Sequence, residues 1–141
     1  MSWYQGKFSY QQEQENGSLK NLSETYLLEA FSYTDAEARM YEIAEENAIR
    51  DYAIKALTPI KLSDVFHEEK GEYWYLIRMY YISMDEVRRT EKKIVSQMLL
   101  NADDIKEAIE RIHENLKTLL VPYIIDAVKQ TPILEVYPKS S

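Results

Sequence analysis

The chain has 141 residues, enough for one ordinary domain or two small intimate halves. Its 45% apolar and 29% charged residues are a globular balance, and a net charge of -7 argues against long-range attraction of the whole molecule to nucleic acid or to an anionic membrane. Without cysteine there are no disulfides or thiolate metal sites, and with no signal-like N-terminus and no apolar run near the roughly 20 residues of a membrane span, a soluble cytoplasmic protein is expected.

Residues 3–10 read as a strand, with Tyr4, Phe8 and Tyr10 on one face and Gly6 between them. Glu15-Asn16-Gly17-Ser18 is a turn signal, and a second strand returns over about 22–31. Thr34-Asp35-Ala36-Glu37 reads as a capping box. The helix that follows places Ala38, Tyr41, Ala44, Ala48 and Ile49 on its buried side. A closing strand is broken at Thr58-Pro59-Ile60, and His67-Glu68-Glu69-Lys70-Gly71 is a charged, exposed linker.

The pattern then starts again. Trp3-Tyr4 recurs as Trp74-Tyr75, Phe8 meets Met79, Tyr10 meets Tyr81, and Tyr52-Ala53-Ile54 meets Tyr123-Ile124-Ile125, all at a spacing of 71. Val65-Phe66 meets Val136-Tyr137 at 71, while Thr58-Pro59-Ile60 meets Thr131-Pro132-Ile133 at 73. In the second copy, Tyr73, Tyr75, Ile77, Met79 and Tyr81 share one face of a strand. Trp74, Leu76, Tyr80 and Ile82 share the other, which predicts a central strand covered on both sides. A charged loop, Asp85 to Glu91, leads to a strand over about 92–100. Asp104-Ile105-Lys106-Glu107 is the Asp form of the capping box. Ile105, Ala108, Ile109, Ile112, Leu116, Leu119 and Leu120 form an apolar stripe that Pro122 ends. The capping boxes align at 70 and the stripes at 71.

These elements predict an α+β fold of two ββαβ repeats, about 1–70 and 71–141, related by a pseudo-two-fold. The expected arrangement is one mostly antiparallel sheet with both helices packed on one face. One such unit is too small to be comfortable alone, so a single domain over 1–141 is expected.

Candidate chemistry is sparse. Glu110 and His113 have the spacing of a helical metal pair, but no matching ligands accompany them, and a solvated helix edge accounts for both. No metal or cofactor is expected. Only three glycines are present, and no phosphate loop, dinucleotide fingerprint, nucleophile elbow or zinc spacing occurs, so no catalytic residue is assigned. Charge is uneven: residues 1–70 hold seven basic and 13 acidic side chains, and residues 71–141 hold 10 and 11.

Glu42, Glu45 and Glu46, with Glu37, could form a negative patch on the first helix, or simply its solvated face. Arg88, Arg89, Lys92 and Lys93 gather at the second hairpin, where Asp85, Glu86 and Glu91 offset them. Trp3, Trp74 and Tyr80 sit on Tyr-rich strands that can stack bases or pack a core, and the run lacks the Gly-aromatic pattern of RNA-recognition sheets.

Trp3-Tyr4, the run Tyr26-Leu27-Leu28-Glu29-Ala30 followed by Thr34-Asp35-Ala36-Glu37-Ala38, Trp74-Tyr75, and Thr131-Pro132-Ile133-Leu134-Glu135-Val136-Tyr137-Pro138 carry a resemblance over nearly the full length. The chain resembles a domain-of-unknown-function family of Bacteroidetes bacteria and their phages, DUF4494. That resemblance implies a phage or mobile-element setting in a bacterial host cell, and no activity. The expected function is a non-enzymatic protein-interaction module, a small accessory protein with a host or phage protein as partner and homodimerisation open. The alternatives are single-stranded nucleic-acid binding through the Tyr-rich sheet and basic hairpin, an acidic nucleic-acid mimic, and a small-ligand pocket.

Overall fold

A computed structural model describes residues 1–139. The fold is α+β, with eight strands and two helices. The strands are β1 (Ser2–Glu13), β2 (Leu19–Ala30), β3 (Ala53–Ile60), β4 (Asp64–Phe66), β5 (Tyr73–Asp85), β6 (Thr90–Ala102), β7 (Ile124–Gln130) and β8 (Ile133–Tyr137); the helices are α1 (Tyr33–Glu46) and α2 (Ile105–Asn115). The chain divides into two compact units. Unit 1 holds residues 1–61 and 132–139, and unit 2 holds residues 62–131.

The strands form two sheets, where one had been expected. Unit 1 has the order β3-β1-β2-β8 and unit 2 the order β7-β5-β6-β4. Both are mostly antiparallel, and each ends in one parallel strand, β8 on β2 and β4 on β6. Each sheet carries its own helix. Against α1 pack Tyr4, Phe8, Tyr26, Leu28 and Leu57, meeting Ala36, Met40, Ile43 and Ala44. Against α2 pack Tyr75, Ile77, Met79, Met98 and Leu100, meeting Ala108, Ile112 and Leu116. β5 is central in its sheet, as its two apolar faces predicted.

The registers repeat closely. Tyr4 lies opposite Leu28, and Tyr75 opposite Leu100, so first strands match at 71 and second strands at 72. Both first strands meet the next strand across a bulge at the same place, Lys7/Phe8 and Arg78/Met79. One residue is gained in the second hairpin, and this also explains the discrepancy between the caps. The N-cap of α1 is Ser32, not Thr34: Ser32 Oγ accepts from Asp35 N at 3.1 Å, and Asp35 Oδ2 accepts from Phe31 N at 2.9 Å. Its counterpart is Asp104, which accepts from Glu107 N at 2.8 Å while Glu107 accepts from Asp103 N at 3.1 Å. From Ser32 to Asp104 the spacing is 72, in step with β2 and β6.

Moving the cap rotates the buried face of α1. Ala36, Met40, Ile43 and Ala44 are buried, while Ala38 and Tyr41 are exposed. Ala48 and Ile49 lie beyond the helix and form its C-terminal cap. Ala48, at φ 55°, donates to Glu45 O at 3.1 Å, and Ile49 N donates to Ala44 O at 2.8 Å, the Schellman pattern with its apolar residue tucked onto the core.

α2 ends at Asn115, well before Pro122. Four of the seven stripe residues are not core: Leu119 and Leu120 lie beyond the helix, and Ile105 and Ile109 are exposed on it.

The Thr-Pro-Ile match, out of step at 73, joins positions that differ in structure. Thr58-Pro59-Ile60 lies inside edge strand β3, where a proline costs no ladder bond on its outer side, whereas Thr131-Pro132 is the break between β7 and β8.

Candidate functional site

Both hairpins outrun their sheets. β3 accompanies β1 only as far as Ser9, and β7 accompanies β5 only as far as Tyr80. Beyond those points Tyr10–Glu13 pairs with β2 alone, and Tyr81–Asp85 with β6 alone. Each unit thus extends a two-stranded arm, and the arms differ in surface.

On the arm of unit 1, Gln11 and Asn21 lie opposite each other, and Gln11 Nε2 donates to Asn21 Oδ1 at 3.2 Å. On the arm of unit 2, the matching position pairs Ile82 with Lys93. Alternation puts Tyr80, Ile82 and Met84 on one face, with Val95 and Lys93 across from Tyr80 and Ile82. Ile82 is 51% exposed, Met84 57% and Val95 43%, so this is an uncovered apolar stripe.

A crevice marks the base of each arm at equivalent residues. In unit 1 it is wide, about 620 Å³, and its lining is mixed, with Ser9, Gln11, Glu13, Asn21 and Asp51 beside Tyr10, Leu19, Tyr52 and Ala53. In unit 2 it is about 220 Å³ and mostly apolar, lined by Tyr80, Tyr81, Ile82, Pro122, Tyr123 and Ile124. That volume is below the usual 300 Å³ or so of a cofactor pocket. It suits one inserted side chain.

The basic candidates gather around this arm. Arg88 and Arg89 are exposed in its turn, which Asp85 holds by accepting from Val87 N at 3.0 Å and Arg88 N at 3.2 Å. Lys92 and Lys93 are exposed on β6, and Lys93 Nζ lies 4.1 Å from the centroid of the Tyr80 ring. The aromatic candidates do not form an open platform. Trp74 is buried and meets the His67 ring edge-on at 5.2 Å, Tyr80 is half-buried beneath Lys93, and Trp3 is half-buried in unit 1. Glu42, Glu45 and Glu46 are all exposed on α1, and among the described residues none joins an ion pair.

Glu110 and His113 are exposed on α2. His113 Nδ1 lies 2.8 Å from the Tyr123 hydroxyl, and among the described residues no group of three His, Asp or Glu converges on a metal position. Shifted ionisations belong to structure more than to chemistry. Burial and the neighbouring Glu24 push the Tyr26 phenol up, and burial does the same to Tyr75. Hydrogen bonding to Lys139 and to the Phe31 amide holds Asp35 below its ordinary value. Ile82, Met84, Val95 and Ile124 were missed as site residues. The signal was present in the sequence: at a spacing of 71, Ile82 and Met84 replace Gln11 and Glu13.

Fold and site together define a small α+β repeat protein whose two units share strands, caps and bulges and differ at their arms. The chain belongs to the DUF4494 family, a domain of unknown function, which matches residues 2–139. No curated protein and no solved structure matches it. Among the described residues, no helix is long and apolar enough to cross a membrane.

Proposed function

We propose that this chain is a protein-interaction module, an accessory protein of a phage or mobile element, and that the β5–β6 arm is its contact surface. The observation that carries the reading is the apolar stripe and crevice of unit 2 at positions where the equivalent arm is polar and self-satisfied. A fold that needed such residues for stability would show them on both arms. The partner is a protein segment with one apolar anchor side chain for the crevice and carboxylates for Arg88, Arg89, Lys92 and Lys93.

The test transplants one arm onto the other. Ile82→Gln with Met84→Glu imports the unit 1 residues, and exposed arm positions tolerate them. A photo-cross-linker at Val95 should trap a discrete host or phage protein in the parent and lose at least tenfold in yield in the double variant. Equal yield from both would end this reading. Single-strand binding has one favourable observation, the four exposed cations on one arm. It predicts fluorescence anisotropy with labelled single strands that Arg88→Ala with Arg89→Ala removes.

A further inference from the structure

Each sheet is closed by a strand from the other repeat. β8 follows β7 of unit 2 but lies on β2 of unit 1, and β4 follows β3 of unit 1 but lies on β6 of unit 2. The two closures are equivalent. Val136 lies opposite Leu27 and Tyr137 opposite Leu28; Val65 lies opposite Leu99 and Phe66 opposite Leu100.

The chain after each strand is held by the same clasp. Glu29 Oε1 accepts from Lys139 N at 3.0 Å, and Asn101 Oδ1 accepts from Glu68 N at 2.6 Å. Arg39 donates to Glu29 O and Tyr137 O, and Arg111 donates to Asn101 O and Lys70 O. Unit 1 adds further grips: the Tyr137 hydroxyl accepts from Asn47 Nδ2 at 3.0 Å, and Lys139 Nζ reaches Asp35 Oδ2 at 2.5 Å and lies 4.3 Å from the Phe31 ring centroid. The edge of β2 is therefore a built receptor for residues 133–139. It recognises their side chains and backbone, and nothing in that recognition requires the strand to come from the same copy.

We propose that β2 of one copy accepts Ile133–Lys139 of a second copy of this chain, giving a strand-exchanged dimer. Exchange of an identical element regenerates every bond of the closed form, so concentration sets the balance between the two states. The connections favour it. Only Thr131 and Pro132 separate β7 from β8, and the proline ring restricts one of them. A connection that short leaves little slack, and short hinges promote exchange.

The chain has no cysteine, so probes can be placed cleanly. Asp35→Cys in one preparation and Lys139→Cys in another are mixed at high concentration, taken briefly through partial denaturation, refolded and treated with a short bis-maleimide. The expected product is a cross-linked dimer at least tenfold more abundant than from Asp35→Cys mixed with Lys20→Cys, a residue on the unit 1 arm. The chain carrying both Asp35→Cys and Lys139→Cys, treated at low concentration, checks that the linker spans the closed clasp. If that chain links internally while the mixture gives no dimer above the Lys20→Cys background, the proposal is overturned. The unmodified protein gives an independent reading if the substitutions disturb folding. A dimer trapped by refolding at high concentration must survive dilution for hours, because it dissociates only by withdrawing two strands. No trapped dimer, or one that separates within minutes, also overturns the proposal.

Discussion

Asn101 is a buried polar side chain that makes three hydrogen bonds, all to one loop. Its Oδ1 accepts from Glu68 N at 2.6 Å, and its Nδ2 donates to Glu68 O at 3.1 Å and Gly71 O at 3.2 Å. Asn101→Ala removes all three. At about 1 kcal/mol net per bond, with the loop groups left partly unsatisfied, the cost is about 3 kcal/mol. For a chain of this size that corresponds to a fall of about 10 °C in Tm. Urea unfolding gives the energy, and amide hydrogen exchange gives its location. Glu68 N should lose protection first, followed by the β4 amides, while α1 and β1 change little. Asn101→Asp keeps the acceptor but turns a carboxylate oxygen toward the Glu68 and Gly71 carbonyls in a buried site, so it should cost at least as much as Ala. A loss under about 1 kcal/mol with Glu68 N still protected would refute the assignment of this side chain as the clasp of unit 2.

Three other outcomes follow from local geometry. Ala48 sits at φ 55° in the αL cap of α1, so Ala48→Gly should raise stability by about 1 kcal/mol, measured as an increase in urea midpoint at unchanged slope. A Cβ on Gly6 would overlap Met40 Sδ and lie 2.5 Å from Met40 Cε, so Gly6→Ala should cost about 1–3 kcal/mol by overpacking. The double variant with Met40→Ala should cost clearly less than the sum of the two single changes in a double-mutant cycle, and strict additivity would contradict the contact. The raised Tyr26 ionisation means the folded state keeps a proton that the unfolded chain gives up above pH 10. Stability from this group is full below that pH and declines as pH rises past it, so Tyr26→Phe should flatten the alkaline limb of a stability profile; an unchanged limb would exclude Tyr26 as its cause.

How much of this was legible depended on what each element's signal rests on. The strand faces of β1 and β5 could be read because alternation is local and both strands are central. The repeat could be read from the Trp-Tyr pairs and from Val65-Phe66 against Val136-Tyr137. α1 was misphased because Ser32, Thr34 and Asp35 are all capping residues within four positions. The choice among them rests on the Ser32 Oγ contact to Asp35 N, and the sequence does not display that contact. α2 was drawn too long because Leu119 and Leu120 continue its period past the point where the chain leaves the helix. The single expected sheet failed for a longer-range reason. Strand partners of β4 and β8 are set by pairings far away in the chain, and no local pattern reports them. Among the site residues, the charges at 88–93 were visible as a run. Ile82 and Met84 could be read from the repeat, where they replace Gln11 and Glu13, whereas Val95 joins them only through the register that sets it opposite Tyr80.

The exchanged closing strands also set the order in which this molecule can be made. Lys139 and Glu29, whose contact helps seal the first sheet, stand 110 positions apart. On the ribosome, β1, β2, α1 and β3 emerge early, yet the β2 edge stays open until β8, more than 100 residues later, has been synthesised. During that interval it is an unpaired strand edge, and nascent copies on one message hold many such edges close together. The two-residue connection before β8 gives that strand little slack, so a neighbour's β8 competes for the open edge throughout that interval.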